Sequence, residues 1–573
     1  MKMIKILSVT ACLALFTACD LTKTPEDSLS PDTYFSNAAQ LALWTQGYYS
    51  QLETPSVVTA NADDNIDNQL GEVMMGQRSA ANESAWTWSM LRKINYYFEN
   101  CHRCEDEEVR APYDAESHFM RAYFYFIKVR RYGDVPYYDK VIKDDDLSML
   151  RKKRDDRGFV MDKIMEDLDM AHTLGNKNRD VAKVTKWTAL ALKSRAALFE
   201  GTYRKYRGMA DADKYLKLAA DAAEEFINNS GYTIYKTGEE PYRTLFNSAD
   251  AKSEEVILAR LYSTTANVMH GIQFNIKNDR QGFTKRFMNH YLMADGSFYS
   301  SQPDYAKQEF VDEVTGRDPR LAQTVLCPGY IQTGAKKVTA NNLNALTGYQ
   351  PIKFVGDAKY DGDNKAFSDF PIFRAAEVYL NFAEAKAELG TLTQNDLDIS
   401  VNKIRDRVGM PHLELAAANS DIDPLMVEYY PNVTRSANTG VILEIRRERT
   451  IELAMEGFRI WDIIRWKEGQ QLTKPFYGCY FHGEGEYDMD NDGKADLLLY
   501  TSNKGDWKGT AKQIGKDIIL TGGQSGYIHA LPTLTVTWNE DRDYLWPIPA
   551  SERVLSGGAL SQNPNWDDST NFD

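Results

Sequence analysis

The sequence predicts a mainly α-helical chain in which antiparallel helix pairs form a solenoid-like stack and carry a looser, partly β region. Three observations predict this. Successive segments at 114–131, 157–174, 186–203 and 213–228 carry apolar residues at helical spacing. The segment 186–203 sets Ala189, Ala191, Ala196 and Ala197 among larger apolar groups, and small residues let helices approach closely. From Gly231 to Tyr349 the helical signal weakens, and short strand-like pieces such as 255–262 lie among turns.

A chain of 573 residues with 43% hydrophobic content can bury an extensive core. Its length allows roughly two to four ordinary domains or one large composite. Aromatic content is 12%, with 33 Tyr and 10 Trp, which supplies core rings and flat faces for stacking on sugars or peptide side chains. The net charge is −15, and it becomes −17 without residues 1–18, which hold Lys2 and Lys5 and no acid. Such a surface disfavours nucleic acid and anionic lipid headgroups as partners.

The first eighteen residues read as a signal peptide: a short basic start, an apolar run from Ile6 to Phe16, then Thr17-Ala18-Cys19. Small residues before a cysteine resemble a bacterial lipobox, in which Cys19 is lipidated after cleavage, although Phe16 stands where Leu is usual. Residues 19–35, with Pro25 and Pro31, then form a polar tether. No later run reaches eighteen uninterrupted apolar residues, so lipid is the expected anchor. Beyond Cys12 and Cys19 the cysteines are Cys101, Cys104, Cys327 and Cys479, which make no disulfide framework. Cys101-His102-Arg103-Cys104 looks like half of a zinc or redox motif, but no second pair follows at ligand spacing. A local disulfide or two unpaired thiols is the favoured reading.

The helical region 36–230 begins with a helix opened by Ser36 that runs through Leu41, Trp44 and Tyr48 to near Leu52. Residues 57–81 have no regular period and carry Asp63, Asp64, Asp67 and Arg78, which reads as a long loop of the kind that bears binding groups. Residues 83–100 read as a helix. Residues 114–131, DAESHFMRAYFYFIKVRR, form an aromatic helix stopped by Gly133 and Pro136. After the irregular region 231–369, the C-terminal part 370–573 opens with helices at 370–389, ended by Gly390, and at 397–408, ended by Gly409. The chain is organised around 444–469, EIRRERTIELAMEGFRIWDIIRWKEG, read as two helices meeting at a corner near Gly457. Arg446, Arg447, Glu448, Arg449, Glu452 and Glu456 lie three and four residues apart, and the expectation is a solvated, salt-bridged face without a chemical role. The remainder is irregular and β-prone.

Those central residues, with Leu453, Gly457, Arg459, Asp462, Arg465 and Trp466, resemble the hallmark of the SusD/RagB family of Bacteroidetes nutrient-uptake lipoproteins. Ala115-Glu116, Arg121-Ala122-Tyr123 and Gly133-Asp134-Val135-Pro136 are similar to an earlier family signature. Arg317-Asp318-Pro319-Arg320, then Arg374, Glu377 and Glu384, then Tyr544 to Pro549 and Gln562-Asn563-Pro564 resemble later ones in the same order. The resemblance covers nearly everything from Ser36 onward. It implies tetratricopeptide-like helical pairs, an α-α superhelix, bearing a loop-rich, partly β ligand-binding subdomain. It also implies a lipid-anchored protein of the outer membrane, on the extracellular side, which captures oligosaccharide and hands it to a SusC-like TonB-dependent transporter. By position in such proteins, the ligand residues are Arg78, Trp86 and Trp88 from the early region and Tyr291, Asp295, Phe298 and Tyr299 from the middle. Trp86 and Trp88 point to different faces if helical, so one belongs to the core and the other is available.

Two alternatives remain: a peptide-binding, RagB-like uptake lipoprotein, and a surface glycoside hydrolase with two carboxylates about 5 to 9.5 Å apart in one cleft. The chain has eight histidines and no His-Glu-x-x-His, Gly-x-Ser-x-Gly or phosphate-binding glycine loop, which favours binding over turnover and no enzymatic role. No cofactor is required. Asp488, Asp490, Asp492 and Asp496 set oxygens at alternate positions around Gly493, like the first part of an EF-hand loop, but Leu499 stands where the bidentate Glu belongs. The segment reads either as an isolated Ca2+-binding loop or as a solvated acidic turn.

Overall fold

The computed structural model describes residues 34–59 and 62–566, so the signal peptide, Cys19 and the tether through residue 33 lie outside the described residues. Packing has already begun at Tyr34 and Phe35, which are buried; Phe35 meets the rings of Trp44, Tyr96 and Tyr97. Asn37 caps α1 (Ala38–Gln46) by accepting from the Gln40 amide, and a 3-10 turn continues to Gln51. After the short strand β1 (Asn65–Ile66) comes α2 (Ser89–Asn100), which starts six residues later than the periodicity predicts. The Glu83 carboxylate bonds Arg131 and Tyr132 at 2.7 Å, and Lys128 donates to the Ala85 carbonyl, so this segment is pinned open against the next helix.

That helix, α3 (Glu107–Tyr132), is capped by Asp106 and ends at Gly133, whose φ of 74° suits glycine. It is followed by α4 (Arg157–Leu174), α5 (Lys186–Lys205) and α6 (Ala212–Asn229), close to the predicted bounds. Each packs on the one before it. The small residues of α5 serve the approach predicted for them: a Cβ placed on Gly201 would lie 2.8 Å from the backbone nitrogen of Leu216 on α6.

Next, β2 (Val256–Arg260) lies within the predicted strand, and β3 (Gly282–Phe283) pairs with β1. The expectation of one helix over 370–389 is corrected: its first five residues are β4 (Phe370–Arg374), antiparallel to β2, and only α7 (Ala375–Leu389) is helical. The apolar run Phe370 to Phe373 is equally compatible with a buried strand, and the pairing with β2 decides it. The helix expected over 397–408 is likewise two short pieces, Gln394–Asp398 and Val401–Asp406, broken at Ser400, whose hydroxyl donates back to the Asp396 carbonyl. Then α8 (Thr439–Glu452) and α9 (Arg459–Arg465) meet at the predicted corner, where Gly457 has φ of 81°. Beyond them β5 (Phe476–Phe481) pairs antiparallel with β9 (Gly526–Ala530), while β6 (Gly485–Tyr487), β7 (Leu497–Tyr500) and β8 (Thr510–Gln513) form a small mixed sheet. The terminus closes on α3: Asn563 donates to the carbonyls of Tyr132 and Trp546.

The solvated face expected for α8 is corrected outright. Arg446, Arg447, Glu448 and Glu452 have no exposed surface, and Arg449 and Glu456 are buried too. Glu452 meets Arg407 at 2.6 Å, Arg374 at 2.7 Å and Arg320 at 3.3 Å. Glu448 meets Arg405 at 2.6 Å and Arg320 at 2.9 Å, and Glu456 meets Lys353 at 2.6 Å and Arg374 at 2.7 Å. Glu255 and Asp318 complete the cluster, bonding Arg374, Arg407 and Arg320. Five cations therefore face five carboxylates in a dry interior. Such a cluster holds together because every charge is matched; removing one partner leaves a bare buried ion. The four described cysteines are free and buried, so Cys101 and Cys104 are unpaired thiols, and burial followed by the nearby Asp114 pushes the Cys101 thiol up to about 12.

Candidate ligand-binding cleft

A cleft of about 250 Å³ opens where the early loop, the middle of the chain and the β5–β9 ribbon converge. Thr284, directly after β3, caps the turn Lys285–Met288, and its backbone amide and hydroxyl donate to the carbonyls of Asp64 and Asp63. The pairing of β1 with β3 thus carries the early loop to this turn. Arg286 projects from the turn over the ring of Tyr429, 4.2 Å from its centroid, and donates to Gln471 at 2.6 Å. Asn289 donates to the Tyr429 hydroxyl at 2.9 Å, and its own Oδ1 has no protein partner. From the ribbon, Tyr477 and Tyr527 stack at 5.8 Å with an interplanar angle of 18°, and both are half-buried. Phe476 lines the cleft beside them, and Lys474 and Glu428 stand exposed at its rim.

Asp63 lies at the inner end. Burial alone would raise its pKa, but Arg459, bonded at 2.6 and 2.7 Å, together with Arg286, holds it at about 2. Its neighbour Asp64 is pushed up to about 7 by burial and by the charge on Asp63. His290, between Arg459 and Arg447, is held well below its ordinary value by burial and by those two cations, so it is neutral. Ring faces beside amide and guanidinium donors in one concave site suit a ligand with flat apolar faces and many hydroxyls. A larger cavity, about 690 Å³, lies among α1, α3 and β2, but its walls are mostly aliphatic and it offers the single ring of Tyr49.

The positions nominated from sequence fall elsewhere. Arg78 is buried in a clamp on the C-terminus: it pairs with Asp543 at 3.0 Å and lies over the rings of Trp538, Trp546 and Trp566. Trp86 is buried, packed edge-on against Tyr132, and Trp88 is half-buried; both line a cavity of about 440 Å³ with Tyr138 and Ile142, and Trp88 also lines one of about 220 Å³. Tyr291 and Tyr299 are buried, the latter beneath Arg317 at 3.6 Å. Asp295 is exposed and accepts from Ser297, and Phe298 is half-buried against Arg447. None of the seven lines the cleft, which draws on Asp63, on Thr284 to Asn289, on 428–429 and on the ribbon. The aromatic spacing of Phe476, Tyr477, Tyr480 and Phe481 was the available signal for the ribbon.

Residues 254–566 match the family model described as the SusD family, and residues 26–198 match one described as starch-binding associating with outer membrane. The chain belongs to the SusD family. Two similar proteins are the SusD-like proteins P2 and P25 of Formosa agariphila. Each is 23% identical, over 83% of this chain and 93% of the relative for P2, and over 78% and 86% for P25. Among solved structures, a SusD-like protein of Bacteroides fragilis superposes with a TM-score of 0.69 at 24% identity, covering 95% of this chain and all of that one. A SusD-like carbohydrate binding protein of the same species superposes at 0.66 with 19% identity, covering 91% and 99%. These likenesses confirm the mainly helical, tetratricopeptide-like fold of this SusD-family chain. No helix among the described residues is long and apolar enough to cross a membrane.

The acidic loop joins β6 to β7, with strands on both sides. Carboxylate oxygens of Asp488, Asp490 and Asp496 come within 4.8 Å of one another, while Asp492 turns away to Lys494. Backbone amides already occupy Asp488 and Asp496, and the pKa of Asp490 is raised by its partial burial, then by Asp496 and Asp492.

Proposed function

We propose that this chain is a cell-surface glycan-binding lipoprotein, moored to the outer membrane through Cys19, that captures oligosaccharide in the Tyr429–Tyr477–Tyr527 cleft and hands it to a SusC-like TonB-dependent transporter. The observation that carries the reading is the gathering of three tyrosines with Arg286, Asn289 and Gln471 around one cavity. Family membership supports it, as do the match to the family of starch-binding proteins associating with the outer membrane and the likeness to the SusD-like carbohydrate binding protein of Bacteroides fragilis. Tethering a binder beside a pore raises the local concentration of its cargo, so modest affinity suffices.

The test is calorimetry of Tyr477→Ala against a panel of glycans and peptides. Losing a stacking face should weaken the glycan that binds about tenfold, equivalent to about 1.4 kcal/mol. Unchanged affinity removes the cleft assignment, and binding of peptides in place of glycans replaces this reading with the RagB-like one.

A further inference from the structure

Charge around the cleft narrows the class of glycan, on the premise that the cleft binds glycan at all. Arg459 and Arg286 share one carboxylate, that of Asp63, at 2.6 and 2.7 Å for the first and 3.4 Å for the second. This triad keeps one positive charge. Lys285 is balanced by Glu313 at 2.9 Å. Lys474 stands exposed at the rim with no ion-pair partner among the described residues, and Glu428 is the single rim acid lining the cleft. Of the remaining nearby groups His290 is neutral, Asp64 is pushed up to about 7 by burial and by Asp63, and Glu468, which faces Arg446 at 3.6 Å, is pushed up to about 7 by burial.

The charged groups lining the cleft, with their direct partners Arg459 and Glu313, are four cations and three carboxylates, so they sum to one positive charge within a chain whose net charge is −15. The overall field repels anions at long range, but at physiological salt it is screened beyond about 8 Å, so the groups within contact distance decide what binds. Neutral sugars give no use for that uncompensated positive charge, whereas guanidinium and ammonium groups form strong charge-assisted hydrogen bonds to carboxylate or sulfate oxygens. We propose that the cleft takes an anionic saccharide, one whose sugars carry carboxylate or sulfate groups, with its rings on Tyr477 and Tyr527 and its charge against Arg286 and Lys474.

Three probes separate the cases by calorimetry on the mature chain: an oligogalacturonide, a sulfated galacto-oligosaccharide, and a neutral gluco-oligosaccharide of the same length. An anionic probe should bind about tenfold tighter than the neutral one, and raising the salt should erode that preference. Which anionic probe leads tells carboxylate from sulfate. Lys474→Glu should lower the anionic-to-neutral ratio and Glu428→Gln should raise it, each about threefold, as befits exposed charges. Both residues lie on the surface, and the melting temperature serves as the folding control. Equal binding of all three probes, or ratios unmoved by both substitutions, overturns the charge inference and leaves the glycan reading intact. Failure of every saccharide to bind removes both.

Discussion

Replacing Glu452 with Gln tests whether the ion cluster beneath α8 is as dry and as finely matched as its geometry shows. The carboxylate has no exposed surface and receives three guanidiniums, from Arg407, Arg374 and Arg320. The cluster is neutral with it, and without it carries one uncompensated positive charge where water cannot reach. Breaking a buried pair from one side costs about 3–5 kcal/mol, because the partner's desolvation is no longer offset. Glu166 provides the contrast: it pairs with Lys163 at 2.7 Å but is 63% exposed, and Glu166→Gln should cost under about 1 kcal/mol. The assay is urea unfolding of the mature protein followed by tryptophan fluorescence. Adding Arg407→Gln to Glu452→Gln restores neutrality, so the double substitution should lose less than the two singles added together. A loss below about 1 kcal/mol for Glu452→Gln, or strict additivity with Arg407→Gln, would refute the picture of a closed, charge-matched interior.

Acid should undo the same interior within a definite window. Burial would raise the pKa of Glu384, but Arg465 and Arg449 hold it down at about 2 against an ordinary 4.5. A depressed folded value stabilises fully above the unfolded one and is lost as pH falls through the folded one, so the melting temperature should drop between about pH 4.5 and 2, less steeply in Glu384→Gln. On α5, Gly201→Ala gains helix propensity of about 1 kcal/mol yet meets the Leu216 backbone at 2.8 Å, so the melting temperature should fall where an exposed helical glycine would show a rise. In the β6–β7 loop, Asp490→Asn relieves carboxylate crowding and should stabilise slightly in EDTA. Millimolar Ca2+ should raise the melting temperature of the unsubstituted chain more than that of the variant, and equal responses would leave an acidic turn.

The helices from 157 to 229 were legible because each has a regular apolar period, and α4 and α5 also have side-chain caps at Asp156 and Thr185, all local properties. Glutamate and arginine spaced three and four apart look the same on a wet helix as on a dry one, which is why α8 read as surface. What distinguishes it lies far away in the chain: Arg320, Arg374, Arg405 and Arg407 are its partners, and Glu255 in turn bonds Arg374 and Arg407. Three of the separate motifs that pointed to the family are thus one object in space, since Arg320 and Arg374 both bond Glu452. The cleft was half legible for the same reason. Its loops could be placed by position, but Tyr477 and Tyr527 become neighbours only through the β5–β9 pairing, which no local period encodes.

The corner after α8 links this interior to the cleft. Glu452 ends the helix inside the ion cluster, and Arg459, seven residues on, is bonded to Asp63 in the cleft. The reversal between them passes through Gly457, where any Cβ would press within 2.9 Å of Val57 on the same early loop. One helix earlier, Arg447 donates to the His290 carbonyl and bonds Asp423, which fixes the exit of the 284–289 turn. The loops that line the cleft are therefore held by charged hydrogen bonds from α8 and α9 in addition to the burial of Val58, Ile66, Phe283, Phe287 and Met288 in the core. Directional contacts of this kind specify an orientation that hydrophobic burial leaves open. On this account the task of the central motif is geometric: it sets where Asp63, Arg286 and Tyr429 stand relative to one another.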